Sequence, residues 1–481
     1  NLIAIAVAFI LTWLFGYSDK DNIIKTISDL VEIPSVSDEN SNSEFPFGEN
    51  CNKALEYILN LGKQMGFRTK NVDGYCGYIE FGEGAELVGI IGHLDVVPAH
   101  VEDGWTTPPF RPVIRDNKIF GRGTIDDKGP VVASLFAMKA IADTMKVSKR
   151  VRLILGLNEE KSWKCIRYYQ QHEEAPNIGF SPDANFPAIY AEKGILSLEI
   201  AHPFNIKDTE ILEINCNQNA INVVPKYCSI TLKTNNEKQW KNANNIKIES
   251  SDNNTYKIIS VGVAAHAAHP DLGKNAITNL FKYIIDNFDC KDESIEYLQK
   301  LFHLGIFEIE SPEFLSRKDI AYATEFEEDS IITDESGSLT SNIGNVEFDS
   351  GILKIRINLR VPVHTKLDDI ILKYKQLVRF YENVEVNVLG RQNPLCVSKD
   401  SYLVKTLVDI YNKETNNNLE AVAIGGGTYA RAFPNFVSYG ANMPGDTDMC
   451  HQANEFIDID KLMTSAYIYA NAIYKLATDK I

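Results

Sequence analysis

The chain has 481 residues, which at roughly 150 residues per domain gives about three domains or two large ones. Its 44% hydrophobic and 23% charged residues are ordinary globular usage, and a mean hydropathy of -0.18 excludes a polytopic membrane protein. With 48 basic against 65 acidic residues the net charge is -17, the opposite of the basic footprint needed to displace counterions from phosphates, so no nucleic-acid partner is expected.

Residues 1 to 18 carry no charge, and Leu2 to Tyr17 are apolar except for Thr12. Sixteen helical residues would span ~24 Å, short of the ~30 Å hydrocarbon core. No basic segment precedes them and no small-residue cleavage site follows. Three readings fit: the remnant of a signal or anchor, a docking helix, or a segment foreign to the protein. Any membrane contact is expected only through residues 2–17. The eight cysteines form no C-x-x-C pair, so reduced, mostly buried thiols in a cytoplasmic protein are expected.

Residues 19 to 33 read as an amphipathic helix with Ile23, Ile27, Leu30 and Val31 on one face and Pro34 beyond its end. Leu87 to Ile91 and Val151 to Leu157 are continuous apolar runs, as in strands buried on both faces. Between them Gly129 to Met145 carries a helical pattern with Pro130 in its first turn. Strand, helix, strand predicts an α/β layer with a mostly parallel central sheet flanked by helices. From about Leu196 the texture changes to alternating segments, such as Cys228 to Leu232 and Ile352 to Ile357, separated by Asn-rich stretches. They predict a second, α+β domain with antiparallel strands. Helical and buried-strand texture returns near Pro394 and ends in a helix at Asp460 to Ala477. The expected organisation is one α/β catalytic domain, residues 19–193 and 393–481, interrupted by an inserted domain at 194–392, with 1–18 as an apolar extension.

Five short segments carry reactive side chains. Gly92-His93-Leu94-Asp95 ends the first buried strand, and alone it reads as a strand-end turn. Gly121 to Gly129 places Asp126 and Asp127 just before a helix, where acids commonly serve as caps. Asn158-Glu159-Glu160 follows the second buried strand; on an extended segment the two side chains diverge, so one glutamate can ligate while its neighbour acts as a base. Ser181-Pro182-Asp183-Ala184 and His451-Gln452-Ala453-Asn454-Glu455 complete the set. Together they put two histidines and three carboxylates at strand and loop ends of an open α/β sheet, where ligands bind. Mixed imidazole and carboxylate donors suit zinc or a similar first-row ion. Asp126, Glu160, Asp183 and one hydroxide would neutralise two divalent cations, so a buried site need carry no net charge.

In this order the motifs H-x-D, G-R-G-x-x-D-D-K-G, E-E, S-P-D and H-Q-x-N-E resemble the co-catalytic zinc exopeptidases that include carboxypeptidase G, aminoacylase and peptidase V. Trp163-Lys164-Cys165, His172 to Pro176, Phe180 to Pro187, Gly425 to Arg431 and His451 to Glu455 are most similar to peptidase V-type dipeptidases. The resemblance runs from about residue 22 to the C-terminus and is thin over 200–390. It implies that His93 and Asp183 hold one zinc, Glu160 and His451 the other, and that Asp126 bridges them, with manganese or cobalt as substitutes. Asp95 would orient His93, and Glu159 would be the general base for a metal-bridging water. His266, in a segment similar to the family's S-A-H-G, would stabilise the oxyanion, although Ala265 and Ala267 depart from the pattern and His269 stands close by. Asn222 and Arg360 would bind substrate, the arginine through a carboxylate. Small dipeptides with a free N-terminus are the implied substrates. The insertion is long for the family, which implies a monomer. An N-acyl amino acid deacylase and an inactive binding scaffold are the alternatives.

Overall fold

The computed structural model describes residues 17–41, 44–216, 220–235, 241–251, 254–288, 292–303, 332–379 and 383–479. The apolar stretch at 2–17 therefore lies, but for Tyr17, outside the described residues. Among those described, no helix is long and apolar enough to cross a membrane. The chain forms two compact units: Ala191–Pro394 with Ala423–Gly427, and the remainder. An α/β unit is thus interrupted by an α+β unit.

The α/β unit is built on a nine-stranded sheet. Its order is Arg68–Val72, Cys76–Phe81, Arg150–Gly156, Leu87–His93, Ile178–Ser181, Phe436–Ser438, Ile189–Glu192 and Leu395–Cys396, with Val422–Ile424 beside Ile189–Glu192. Strands Arg150–Gly156, Leu87–His93, Ile178–Ser181 and Phe436–Ser438 run parallel to one another. Pairing turns antiparallel outside these four, at Cys76–Phe81 and at Ile189–Glu192, so the parallel part is the centre of the sheet. The two runs read as strands covered on both faces are buried throughout apart from Arg150. Close approach demands a glycine at Gly156, where a Cβ would meet the Tyr429 ring at 2.4 Å.

Helix Lys128–Thr144 follows the Leu87–His93 strand and packs against Ile459–Thr478 and Tyr17–Val31. In the last of these, Ile23, Ile27, Leu30 and Val31 are fully buried, each side chain stabilising the unit by about 1.5–3 kcal/mol. The buried Lys128 ammonium donates to the carbonyls of Leu30 and Ile33, both at 2.8 Å, and so closes the C-terminal end of that helix.

The α+β unit holds two four-stranded antiparallel sheets. One runs Thr340–Asp349, Ile352–Val361, Gly194–Pro203, Glu385–Gln392; the other Thr209–Asn215, Tyr227–Thr234, Thr255–Val261, Ile246–Ser251. Strict alternation along Gly194–Pro203 turns Leu196, Leu198 and Ile200 into the core, where they pair with Leu359, Ile357 and Ile355. Helix Ala276–Asn287 joins this core and is capped by Asn275, whose side chain accepts from the amides of Ile277 and Thr278.

Candidate metal centre

Three neighbouring parallel strands explain why distant motifs meet. Arg150–Gly156, Leu87–His93 and Ile178–Ser181 end at one edge of the sheet, and His93, Glu159, Glu160 and Asp183 sit on or just beyond those ends, while Asp126 comes from the segment before helix Lys128–Thr144 and His451 from the loop before Phe456–Asp458. His93 closes its strand. Glu159 and Glu160 lie in a turn rather than on extended chain, so strand alternation does not aim them. Their backbone amides donate to the two oxygens of the buried Asp95 carboxylate, at 3.0 Å for Glu159 and 3.2 Å for Glu160. Asn158 closes the same turn: its side-chain oxygen accepts from Ser162 Oγ and the Lys164 amide, and its carbonyl accepts from Trp163.

His93, Asp126 and Asp183 form one cluster, and Asp126, Glu160 and His451 a second. Asp126 belongs to both through different oxygens. Its Oδ1 lies 3.1 Å from His93 Nε2 and its Oδ2 3.1 Å from His451 Nε2. Asp183 Oδ2 is 3.5 Å from His93 Nε2, and Glu160 Oε2 is 2.9 Å from His451 Nε2. His93 Nδ1 faces the backbone carbonyl of Asp95 at 2.9 Å, with that residue's carboxylate farther away at 3.5 Å. The imidazole is therefore fixed chiefly by a main-chain acceptor. A proton on Nδ1 leaves the Nε2 lone pair facing the carboxylates. Among the described residues that buried Nε2 has no hydrogen-bond partner, which suits an atom placed to share a cation with Asp126 and Asp183.

Electrostatics points the same way. Burial would disfavour charge on His93, but the carboxylates of Asp126, Asp183 and Asp95 raise its pKa well above the usual value. The His451 side chain is 52% exposed; its remaining burial opposes charge, and its hydrogen bonds to Asp126 and Glu160 override this, pushing it up to about 11. Burial tends to raise Asp126, yet the two imidazoles hold it far below the carboxylate range. Burial and the nearby Asp126 push Glu160 up to about 7, even with His451 opposing. Glu159 is raised well above its usual value by burial and by Glu160, Asp183 and Asp126, while His93 pulls it down. The carboxylates of Asp126, Asp183, Asp95 and Glu160 hold protons on two imidazoles, and divalent cations are the natural replacement for those protons.

Several site residues gave no clear signal in sequence. Asp127 directly precedes the helix, but its side chain makes no capping bond and instead accepts the His93 amide at 3.1 Å. Arg122 and Glu455, both buried, pair at 2.7 Å; their signal was the arginine of G-R-G and the last residue of H-Q-x-N-E. Tyr429, fully buried, lies edge-on to His93 and meets Cys165 Sγ at 2.7 Å.

His266, Asn222 and Arg360 belong to the α+β unit. The Asn222 carbonyl accepts from the Ala267 amide at 2.9 Å, so the Asn222 and His266 segments are paired, and His266 Nδ1 accepts from the Ala268 amide. His269 is exposed. Arg360 is buried: its Nε donates to Asn358 at 2.9 Å and one terminal nitrogen to the Gly425 carbonyl at 3.0 Å.

A model of peptidase family M20/M25/M40 matches residues 89–475. The provisionally named dipeptidase YtjP of Bacillus subtilis (strain 168) is 36% identical over 473 residues, covering 95% of this chain and 98% of that protein. A provisionally named dipeptidase of Staphylococcus epidermidis is 36% identical over 488 residues, covering 96% and 98%. Among solved structures, human carnosine dipeptidase 1 superposes with a TM-score of 0.61 at 15% identity, over 97% of this chain and 99% of that one. The di-peptidase Dug1p from Saccharomyces cerevisiae gives 0.59 at 14% identity, over 97% and 98%. At these identities the structural likeness speaks for the fold.

Proposed function

The chain belongs to the M20/M25/M40 peptidase family and is a peptide hydrolase, and on that footing we propose that it is a dinuclear zinc dipeptidase acting on dipeptides with a free N-terminus. The observation that carries this reading is the Asp126 carboxylate, which turns one oxygen to each of two histidine and carboxylate clusters. His93 and Asp183 would hold one cation, Glu160 and His451 the other, and Asp126 both. Mixed nitrogen and oxygen donors favour zinc, with manganese or cobalt as substitutes. Bound there, the cations would acidify water and polarise the scissile carbonyl.

The chain's own groups supply the rest. Glu159, carrying a raised pKa in a turn pinned by Asp95, takes a proton from the attacking water and returns it to the leaving amine. Asp95 keeps that turn and the His93 ring in place. His266 serves the oxyanion, and Asn222 and Arg360 bind substrate, the arginine at the C-terminal carboxylate. The protein works as a monomer.

The test is zinc analysis of the purified protein together with a panel of free and N-acetylated dipeptides, before and after chelation. We expect two zinc ions per chain, hydrolysis of free dipeptides, and loss of activity with the metal. Cleavage of the blocked substrates alone would make the protein a deacylase. Glu159→Gln is expected to keep both ions and lose turnover by roughly 10²–10⁴-fold; full turnover in that variant would remove Glu159 from the mechanism.

A further inference from the structure

Behind the two clusters lies a buried ion pair that touches neither proposed cation. Glu455 is fully buried and Arg122 is 3% exposed. Glu455 Oε2 accepts from an Arg122 terminal nitrogen at 2.7 Å. Its Oε1 accepts from the backbone amides of Ile125, at 3.0 Å, and Asp126, at 3.4 Å. The second terminal nitrogen of Arg122 donates to the carbonyl of His451 at 3.3 Å. The main chains join too, since the Gly121 amide donates to the Glu455 carbonyl at 2.9 Å. The guanidinium also lies over the Trp105 ring, 5.3 Å from its centroid, which limits its freedom.

These contacts run between two segments far apart in sequence. One delivers Asp126, shared by both clusters; the other delivers His451. The His451 backbone has φ of 64°, a left-handed conformation that residues with a Cβ adopt uncommonly. Its carbonyl bond to Arg122 restrains it. A buried carboxylate that accepts two main-chain hydrogens, paired with a forked guanidinium, fixes direction as well as distance.

We propose that Arg122 and Glu455 are positioning residues that set the Asp126 carboxylate and the His451 imidazole at the separation the second cation requires. This rests on the reading of the site as a two-cation centre. The pair acts through main-chain atoms of the ligand segments and does not meet substrate.

The experiment compares wild type, Glu455→Gln and Arg122→Lys as full chains, by zinc titration with metal analysis, thermal unfolding, and dipeptide kinetics. Glu455→Gln is expected to hold one zinc where wild type holds two, at a concentration that saturates wild type. We expect kcat to fall about 10–100-fold, the usual effect of losing a group that supports metal ligands, with KM changing less than about threefold. Arg122→Lys keeps the charge but loses the fork, and is expected to show a weaker loss in the same direction; it decides the matter if Glu455→Gln does not fold. Two zinc ions bound with wild-type affinity in both folded variants, with only the melting temperature lowered, would mean a purely structural pair and would overturn the proposal. A wild type that never takes up a second cation would be a different result, overturning the two-cation reading and the proposal with it.

Discussion

Replacing Asp95 by alanine removes the acceptor of two backbone hydrogens at once. The carboxylate is fully buried and takes the amides of Glu159 and Glu160, one on each oxygen, at 3.0 and 3.2 Å. A hydrogen bond to a charged group contributes about 1.5–3 kcal/mol net, so the two together amount to about 3–6 kcal/mol. Water entering the vacated space recovers part of this, and we expect a loss near 3 kcal/mol in the α/β unit. Asp95→Asn keeps one carbonyl acceptor and should lose about half as much. The His93 ring would stay anchored in both variants, because its bond is to the Asp95 main-chain carbonyl. The assay is urea unfolding of the chelated protein, followed by tryptophan fluorescence, alongside kcat/KM of the zinc-loaded form. The stability loss should be unchanged in a Glu159→Gln background, since the accepted hydrogens belong to the backbone. A loss below about 0.5 kcal/mol with kcat/KM within threefold of wild type would refute the clamp.

Two further outcomes are expected. Loading the metal-free protein with zinc near pH 7.5 should release on the order of two protons, because His93 and His451 are held protonated by the surrounding carboxylates and must give up those protons to ligate; zinc affinity should fall as pH falls, and calorimetry in buffers of different ionisation enthalpy checks both, a null release contradicting the assignment. In the α+β unit, His202 stacks on Tyr297 with ring centroids 3.7 Å apart, and burial lowers its pKa to about 4 against a backbone bond at Pro203. Between about 4 and 6.5 the unfolded chain holds the extra proton, so stability falls as pH drops through that window and is constant above it. With His202 only 7% exposed, the whole effect is at most about 3 kcal/mol and is reached only below the folded-state value. His202→Phe should flatten the decline between pH 7 and pH 5 in urea titrations; an unchanged slope would assign it elsewhere.

What the sequence determined by itself was local. The apolar runs at Leu87 to Ile91 and Val151 to Leu157 announced strands covered on both faces; the structure extends the first to Leu87–His93 and shifts the second by one residue to Arg150–Gly156. The faces of the first helix and the alternation at Ile352 to Ile357 were legible for the same reason: hydrophobic period is a property of neighbouring residues. The motifs at His93 and at Glu159-Glu160 were legible because each follows an apolar run, while those at Asp126, Asp183 and His451 were gathered by the order of motifs the family resemblance supplies. Tertiary structure alone decided which atoms meet. It divided Asp126 between two imidazoles, used the Asp95 carboxylate for the Glu159 and Glu160 amides more than for His93, and put those glutamates in a turn. It also buried Arg360 against the Gly425 carbonyl and joined Arg122 to Glu455. A buried charge takes whichever partner the returning chain brings within about 3 Å, and burial between segments distant in sequence leaves no periodic trace in either.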